Sequence, residues 1–216
     1  MSYPSGSVIG RQTQAVTLRG LSSAFGNVFL ALMFALFAYV HAMNLLEFLR
    51  LSVLLILVKE ILDAFFYLTR RTPESFSYSP YHWVIALTAT FCTLLLRPTQ
   101  ASHDLVVGQF LVCTGLVLQA LSMLSLNRSI GMVPANRGIV TTGLYRVVRH
   151  PLYSAYVITL IGYLISNLTL GNALVLALWF PLQMLRIVEE ERFLKQDPAY
   201  ILFMERTHWR LIPYVL

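Results

Sequence analysis

Six apolar runs alternate with polar breaks along the chain, at about 21–46, 49–69, 81–96, 104–126, 151–168 and 170–187. Each is close to the roughly 20 residues that one membrane-crossing helix needs. The pattern therefore predicts an all-α integral membrane helical bundle of about six transmembrane helices, in a single membrane domain over 1–216. A polar segment, 1–20, precedes the first run and is expected to be loose or surface-lying. It does not read as a cleaved signal peptide, because the run after Arg19 is too long for a signal core. A polar connector, 127–150, separates the four-span region 21–126 from the last two runs, and a charged, amphipathic tail, 188–216, closes the chain. Asp197-Pro198 supplies an N-cap and a first-turn proline. The tail is thus expected to hold a short helix over about 198–208, with Tyr200, Phe203, Met204 and Thr207 along one side. Such a helix either lies on the membrane surface or closes over the connector as a lid.

Composition agrees with this pattern. Of 216 residues, 57% are apolar and only 12% charged, about half the charged share of a soluble domain. Neither a separate soluble domain nor a disordered chain fits. Cys92 and Cys113 both lie within apolar runs with no Cys/His cluster, so neither a disulfide framework nor a metal site is expected. The net charge of +6 reads first as topology. With the N-terminus in the cytoplasm, 13 of the 16 basic residues fall in cytoplasmic segments; Arg50 and Arg97 lie opposite, and Lys59 lies within a span. This asymmetry predicts a multi-pass protein with both termini, and the helical tail, cytoplasmic. It accounts for most of the charge without a nucleic-acid partner.

Candidate chemistry is confined to loops, helix ends and a few polar residues within spans. The second run carries Lys59, Glu60 and Asp63. Three ionisable groups in one span are costly unless paired or turned to a cavity, so they form either a charge-paired seam or a polar cavity wall. His41 and Asn44 are expected to make a helix contact near the interface. The connector holds four arginines and no acid, with Gly131, Pro134, Gly138 and Gly143 to shape turns. It either anchors the protein to the inner leaflet or cradles an anionic group. Pro151 suits the first turn of the fifth span, which sets Arg149 and His150 at a helix N-terminus. At the end of the sixth span, Arg186 and Glu190 are four residues apart and can pair or grip a ligand together. Glu189, Glu190 and Glu191 wrap around the helix, so at least one is expected to be solvated.

One ordered set of residues carries a resemblance. Val140-Thr141-Thr142-Gly143-Leu144-Tyr145, then Arg149-His150-Pro151-Leu152-Tyr153, a helical hairpin, Arg186 with Glu190-Glu191 and Leu194, Tyr200, and Arg210-Leu211-Ile212-Pro213 follow in that order. The set resembles the isoprenylcysteine carboxyl methyltransferases and the related phospholipid methyltransferases, over roughly 125–214. One difference is that Gln196-Asp197-Pro198 stands where typical members have Phe-Gly before the tail tyrosine. The resemblance implies an S-adenosylmethionine-dependent membrane methyltransferase whose cofactor site lies within 127–216. It implies cofactor contacts from Arg137, Gly138, Ile139, Val140, Tyr145, His150, Pro151, Leu152, Tyr153 and Glu191, and no metal. Arg186 and Glu190 are implied near the reacting group, Arg186 orienting the acceptor and Glu190 fixing Arg186. The acceptor is expected to be lipophilic and to enter from the bilayer among membrane lipids.

The absence of a Ser/His/Asp set agrees with that chemistry, since a sulfonium donor needs orientation more than covalent help. Two alternatives remain open. One is an NADPH-dependent membrane reductase resembling steroid 5-alpha-reductases, against which Leu152-Tyr153-Ser154 stands in place of that group's Asn-Tyr motif. The other is a non-catalytic transporter or scaffold, best supported by the charged second span.

Overall fold

The computed structural model describes residues 6–47, 49, 51–99 and 105–215, with side chains described from residue 24 onward, Ser52 apart. The elements are α1 (Gly6–Glu47), α2 (Leu51–Thr69), β1 (Ser75–Phe76), α3 (Pro80–Phe91, continued by a 3₁₀ turn to Leu95), α4 (Val106–Leu126), β2 (Ala135–Asn136), α5 (Pro151–Ser166), α6 (Leu170–Leu194) and α7 (Pro198–Arg206). The fold is a helical membrane bundle. Each apolar run supplies one helix, and the tail supplies α7.

Two boundaries differ from expectation. The first helix reaches back to Gly6, so the polar segment from residue 6 is helical rather than loose; residues 1–5 lie outside the described residues. Propagating an existing helix fixes one residue per added hydrogen bond, and the segment's isolated glycines are tolerated. The sixth helix also runs past its apolar stretch to Leu194. Glu, Arg and Leu are strong helix formers, and the charged residues of this extension find partners in the fold.

Among the described residues, three helices are long and apolar enough to cross a membrane: Ala24–Glu47, Val106–Ser129 and Leu170–Leu194. The apolar helices Pro80–Leu95 and Pro151–Ser166 are shorter. At about 1.5 Å per residue, α5 is roughly 24 Å long, short of a hydrocarbon core about 30 Å thick. The outward faces of the bundle carry Leu32, Val106, Phe110, Leu124 and Leu174, from 62% to 80% exposed. Apolar exposure on this scale suits lipid contact rather than water.

Helix α2 explains its own charges. Leu54, Val58, Ile61, Phe65 and Leu68 are all exposed and recur at four- and three-residue steps, one apolar stripe facing outward. Glu60, Asp63 and Tyr67 are buried on the opposite side. The helix therefore turns its polar face into the bundle and its apolar face away from it.

Helix ends gather at two poles. At one pole Arg71 N donates to Arg128 O (2.6 Å) and Ser77 N to Pro134 O (3.0 Å). There β1 and β2 pair antiparallel, Ser75 opposite Asn136 and Phe76 opposite Ala135. This contact between the 70–79 loop and the connector joins segments about 60 residues apart and has no signature in either one. At the other pole Asn172 Nδ2 donates to Arg97 O (2.8 Å) and Asn172 Oδ1 accepts from Arg97 N (3.0 Å), tying the α5–α6 turn to the end of α3. The core lies nearer the first pole, where Phe34 stacks on Tyr67 (centroids 5.2 Å apart) and packs with Phe66, Met123, Met132 and Leu152.

The α4–α5 pair is packed backbone to backbone. A Cβ on Gly162 would lie 2.7 Å from Gly108 O and 2.8 Å from Val112 N; one on Gly115 would lie 2.7 Å from Thr159 N. Small residues permit this approach, as membrane helix interfaces favour. Gly162→Ala and Gly115→Ala are each expected to destabilise the bundle by about 1–3 kcal/mol, because the obstacle is backbone. Gly171→Ala, with its nearest neighbour atom at 3.9 Å, is expected to be neutral. Thermal unfolding of the detergent-purified variants measures the difference.

Candidate active site

The connector, the start of α5, the end of α6 and α7 converge on one buried carboxylate. Glu191 is 1% exposed. Its Oε1 accepts from Arg149 Nε (2.8 Å) and from His150 Nε2 (3.2 Å), and its Oε2 accepts from Arg210 Nε (3.1 Å). A carboxylate can only accept, which fixes the proton on His150 Nε2. Arg149 also donates through its guanidinium to Thr207 O (2.9 Å) and His208 O (2.7 Å). Its backbone N–H and that of His150 reach Trp209 O (2.8 Å) and Arg210 O (2.9 Å). Ser154 Oγ donates to Leu211 O (2.6 Å). The tail is thus strapped along the N-terminus of α5, with His150 as the helix's N-cap residue and Pro151 in its first turn.

Helix α7 closes over the connector. Asp197 caps it by accepting from Ala199 N (2.8 Å), and its second oxygen accepts from Asn136 Nδ2 (2.7 Å). Asn136 Oδ1 in turn accepts from Gly138 N (2.9 Å), where a φ of 91° suits glycine. Tyr145, Tyr200 and Phe203 form a cluster packed by Ile139 and Val140. Of the two placements open for the tail helix, the lid is the one adopted.

Beneath this lid lies a cavity of about 630 Å³, within the range of small-molecule sites. Arg137, Gly138, Ile139, Val140, Tyr145, His150, Leu152, Tyr153, Arg186 and Glu190 all line it. Pro151 and Glu191 do not. Pro151 starts α5, and Glu191 points into the arginine cluster, so its contacts are with the residues that shape the wall. The cavity continues into the bundle past Tyr67, Asp63, Glu60, Lys59 and His41.

Arg186 and Glu190 both face the cavity but make no direct ion pair with each other. Tyr153 stands between them instead. Its hydroxyl donates to Glu190 Oε2 (2.7 Å), and its ring lies 5.4 Å from the Arg186 guanidinium carbon. The expected grip of Glu190 on Arg186 is thus relayed through a tyrosine, because a ring of that size fills the space between the two side chains. Arg186 is otherwise held by two long contacts, to Thr90 Oγ1 and Gly131 O, both 3.4 Å. Its buried Nε has no partner.

Of the three successive glutamates, Glu189 and Glu191 are buried, while Glu190 is only part-buried and lines the cavity. Glu189 is buried, takes two hydrogen bonds from Arg192 (2.7 and 2.9 Å) and lies 3.2 Å from His82 Nε2. Each glutamate has partners from a different part of the chain, which is how three adjacent carboxylates can point three ways and all be satisfied.

Electrostatics at the cavity mouth favour an anion. Burial and the neighbouring Arg70 push the Arg137 guanidinium down to about 10, and it makes no carboxylate pair among the described residues. Arg70 is itself lowered by burial and is anchored on Asn27 and over the Tyr67 ring. Burial raises the Tyr145 and Tyr200 phenols, so both stay protonated and able to donate. The Tyr200 hydroxyl is buried without a partner, on the cavity wall.

Sequence reading missed Tyr67, Thr90, Gln119 and Gln183, all of which line the cavity. The two glutamines carried a signal, being uncharged polar residues inside apolar runs, but nothing in the sequence told which way they faced.

Residues 103–197 match the model of the phospholipid methyltransferase family. The match runs from α4 through the connector and hairpin to the cap of α7. Comparison of the chain with curated proteins gave no match.

Replacing Glu191 by Gln would leave Arg149 buried without its counter-charge. Glu191→Gln is expected to cost about 3 kcal/mol of stability, read as lowered thermal unfolding in detergent.

Proposed function

We propose that the protein transfers a methyl group from S-adenosylmethionine to a lipophilic acceptor that reaches the cavity from the bilayer. The arginine-bearing pole and both termini face the cytoplasm in this reading, as the distribution of basic residues suggests. The observation that carries it is the single cavity shared by the connector residues Arg137–Val140, by Tyr145, His150, Tyr153 and Glu190, and by Arg186 deeper in.

The residues present suit the cofactor's parts. The Tyr200 hydroxyl, which has no partner, and Arg137, both on the cavity wall, are donors for a carboxylate. Glu190, whose Oε2 is engaged by Tyr153, retains lone pairs for an ammonium or ribose hydroxyl. The rings of Tyr145 and Tyr153 offer flat apolar faces for adenine. When bound, S-adenosylmethionine supplies an electrophilic methyl group, so the protein's part is to position and to exclude water. Lid α7, capped by Asp197 and packed on Tyr145, supplies the exclusion. Arg186, with Nε unpaired and its plane over Tyr153, is placed to orient an anionic or polar acceptor group.

Calorimetric titration of the detergent-purified protein with S-adenosylhomocysteine and, separately, NADPH tests the reading. Saturable binding of the first and none of the second is expected; the reverse would establish a reductase instead. Arg186→Ala is expected to lower transfer of labelled methyl into extracted lipids roughly 100-fold, as loss of acceptor orientation does, with affinity for S-adenosylhomocysteine retained. Tyr200→Phe should weaken S-adenosylhomocysteine about tenfold by removing one buried donor.

A further inference from the structure

The inner part of the cavity is polar where a channel for hydrocarbon would be apolar. Lys59 Nζ pairs with Asp63 Oδ2 (2.9 Å) and stands 4.0 Å from Glu60 Oε1. These three groups carry one positive and two negative charges. Gln119 Nε2 donates to Asp63 Oδ1 (3.4 Å), which orients the amide, since the carboxylate can only accept. All four residues line the cavity, as do His41 and Gln183.

Several atoms on this wall lack a hydrogen-bond partner although their residues are more than nine-tenths buried. They are Glu60 Oε2, Gln119 Oε1 and Gln183 Oε1, with residue exposures of 6%, 0% and 3%. His41 Nδ1 lies 3.0 Å from Phe37 O and 3.4 Å from Glu60 Oε2; both oxygens are acceptors, and the nearer carbonyl takes the hydrogen bond, leaving Glu60 Oε2 an ion-pair contact only. Buried polar atoms are nearly always satisfied in native proteins, and ionisable groups within a bilayer mark functional sites. Three acceptors without hydrogen bonds, one of them in ion-pair range of His41, call for a ligand that brings donors. On a rise of about 1.5 Å per residue, Glu60 lies roughly 14 Å along α2 from its arginine-bearing end, and Gln183 roughly 16 Å along α6 from its own. The unpaired acceptors therefore lie well inside the bundle, away from the mouth.

We propose that this inner chamber, walled by α1, α2, α4 and α6, holds the remote end of the methyl acceptor, and that this end carries hydroxyl or amine groups. The acceptor is then an amphipathic molecule with polar groups at both ends. A diacyl lipid, whose chains end in methyl groups, offers nothing to Glu60, Gln119 or Gln183. This rests on the methyl-transfer reading for which group reacts; the chamber's preference for donors stands on its own geometry.

The test uses octanoate, ω-hydroxyoctanoate and ω-aminooctanoate, which differ only in the group at the chain end. Binding to the full chain in detergent is followed by tryptophan fluorescence, with Trp179 on the cavity wall as reporter, with and without S-adenosylhomocysteine. The hydroxylated and aminated probes are expected to bind about tenfold tighter than octanoate. Glu60→Gln should remove most of the amine's advantage. Gln183→Met, which deletes an amide oxygen with no partner and so spares the fold, should reduce both advantages. Unchanged affinity for S-adenosylhomocysteine verifies that each variant is folded. Octanoate binding as tightly as the substituted probes, or a ranking unmoved by both variants, would overturn the proposal. Loss of the ranking with S-adenosylhomocysteine still bound condemns the chamber alone. A preserved ranking without S-adenosylhomocysteine binding supports the chamber and condemns the methyl-transfer reading.

Discussion

The site depends on one buried carboxylate. Glu191 receives Arg149, His150 and Arg210 at 2.8–3.2 Å and so fastens the start of α5 and the returning tail to the end of α6. A lone carboxylate in that position would be too costly to keep charged, and two guanidiniums without it would repel each other. The three partners come from segments about 40 and 20 residues away, so the ionic cluster also sets the geometry of the chain around it. It holds the lid within reach of the connector and keeps His150 and Tyr153 on the cavity wall.

A second constraint comes from the bundle's solvent. A helix with Lys59, Glu60 and Asp63 can pack in an apolar bundle only if its charged side is turned inward, and α2 does this with an unbroken apolar stripe outside. Turning those groups inward creates a polar interior that the other helices satisfy only in part. The α4–α5 pair, closed at Gly108, Gly115 and Gly162, gives the bundle a rigid wall against which that interior remains open.

The family match and the structure divide the cavity between them. Residues 103–197, the segment that matches the phospholipid methyltransferase family, supply one wall of the cavity, including the basic connector, Tyr153, Arg186 and Glu190. The opposite wall comes from α1 and α2, outside the matched segment.

The sequence by itself determined the six helices, because apolar length and turn residues act locally. It also set the starts of α5 and α7, where Pro151 and Pro198 lack the N–H that a first turn does not need. The order of motifs from Val140 to Glu191 placed the methyltransferase resemblance in the right half of the chain. Tertiary structure alone decided which faces meet. Apolar spans with lone polar residues give no clear face, so Gln119 and Gln183 could not be assigned to an interior. The intervention of Tyr153 between Arg186 and Glu190 needed α5 beside α6, and the burial of Glu189 and Glu191 needed His82, Arg149 and Arg210 from elsewhere. These are contacts between segments distant in the chain, and spacing along one helix carries no record of them.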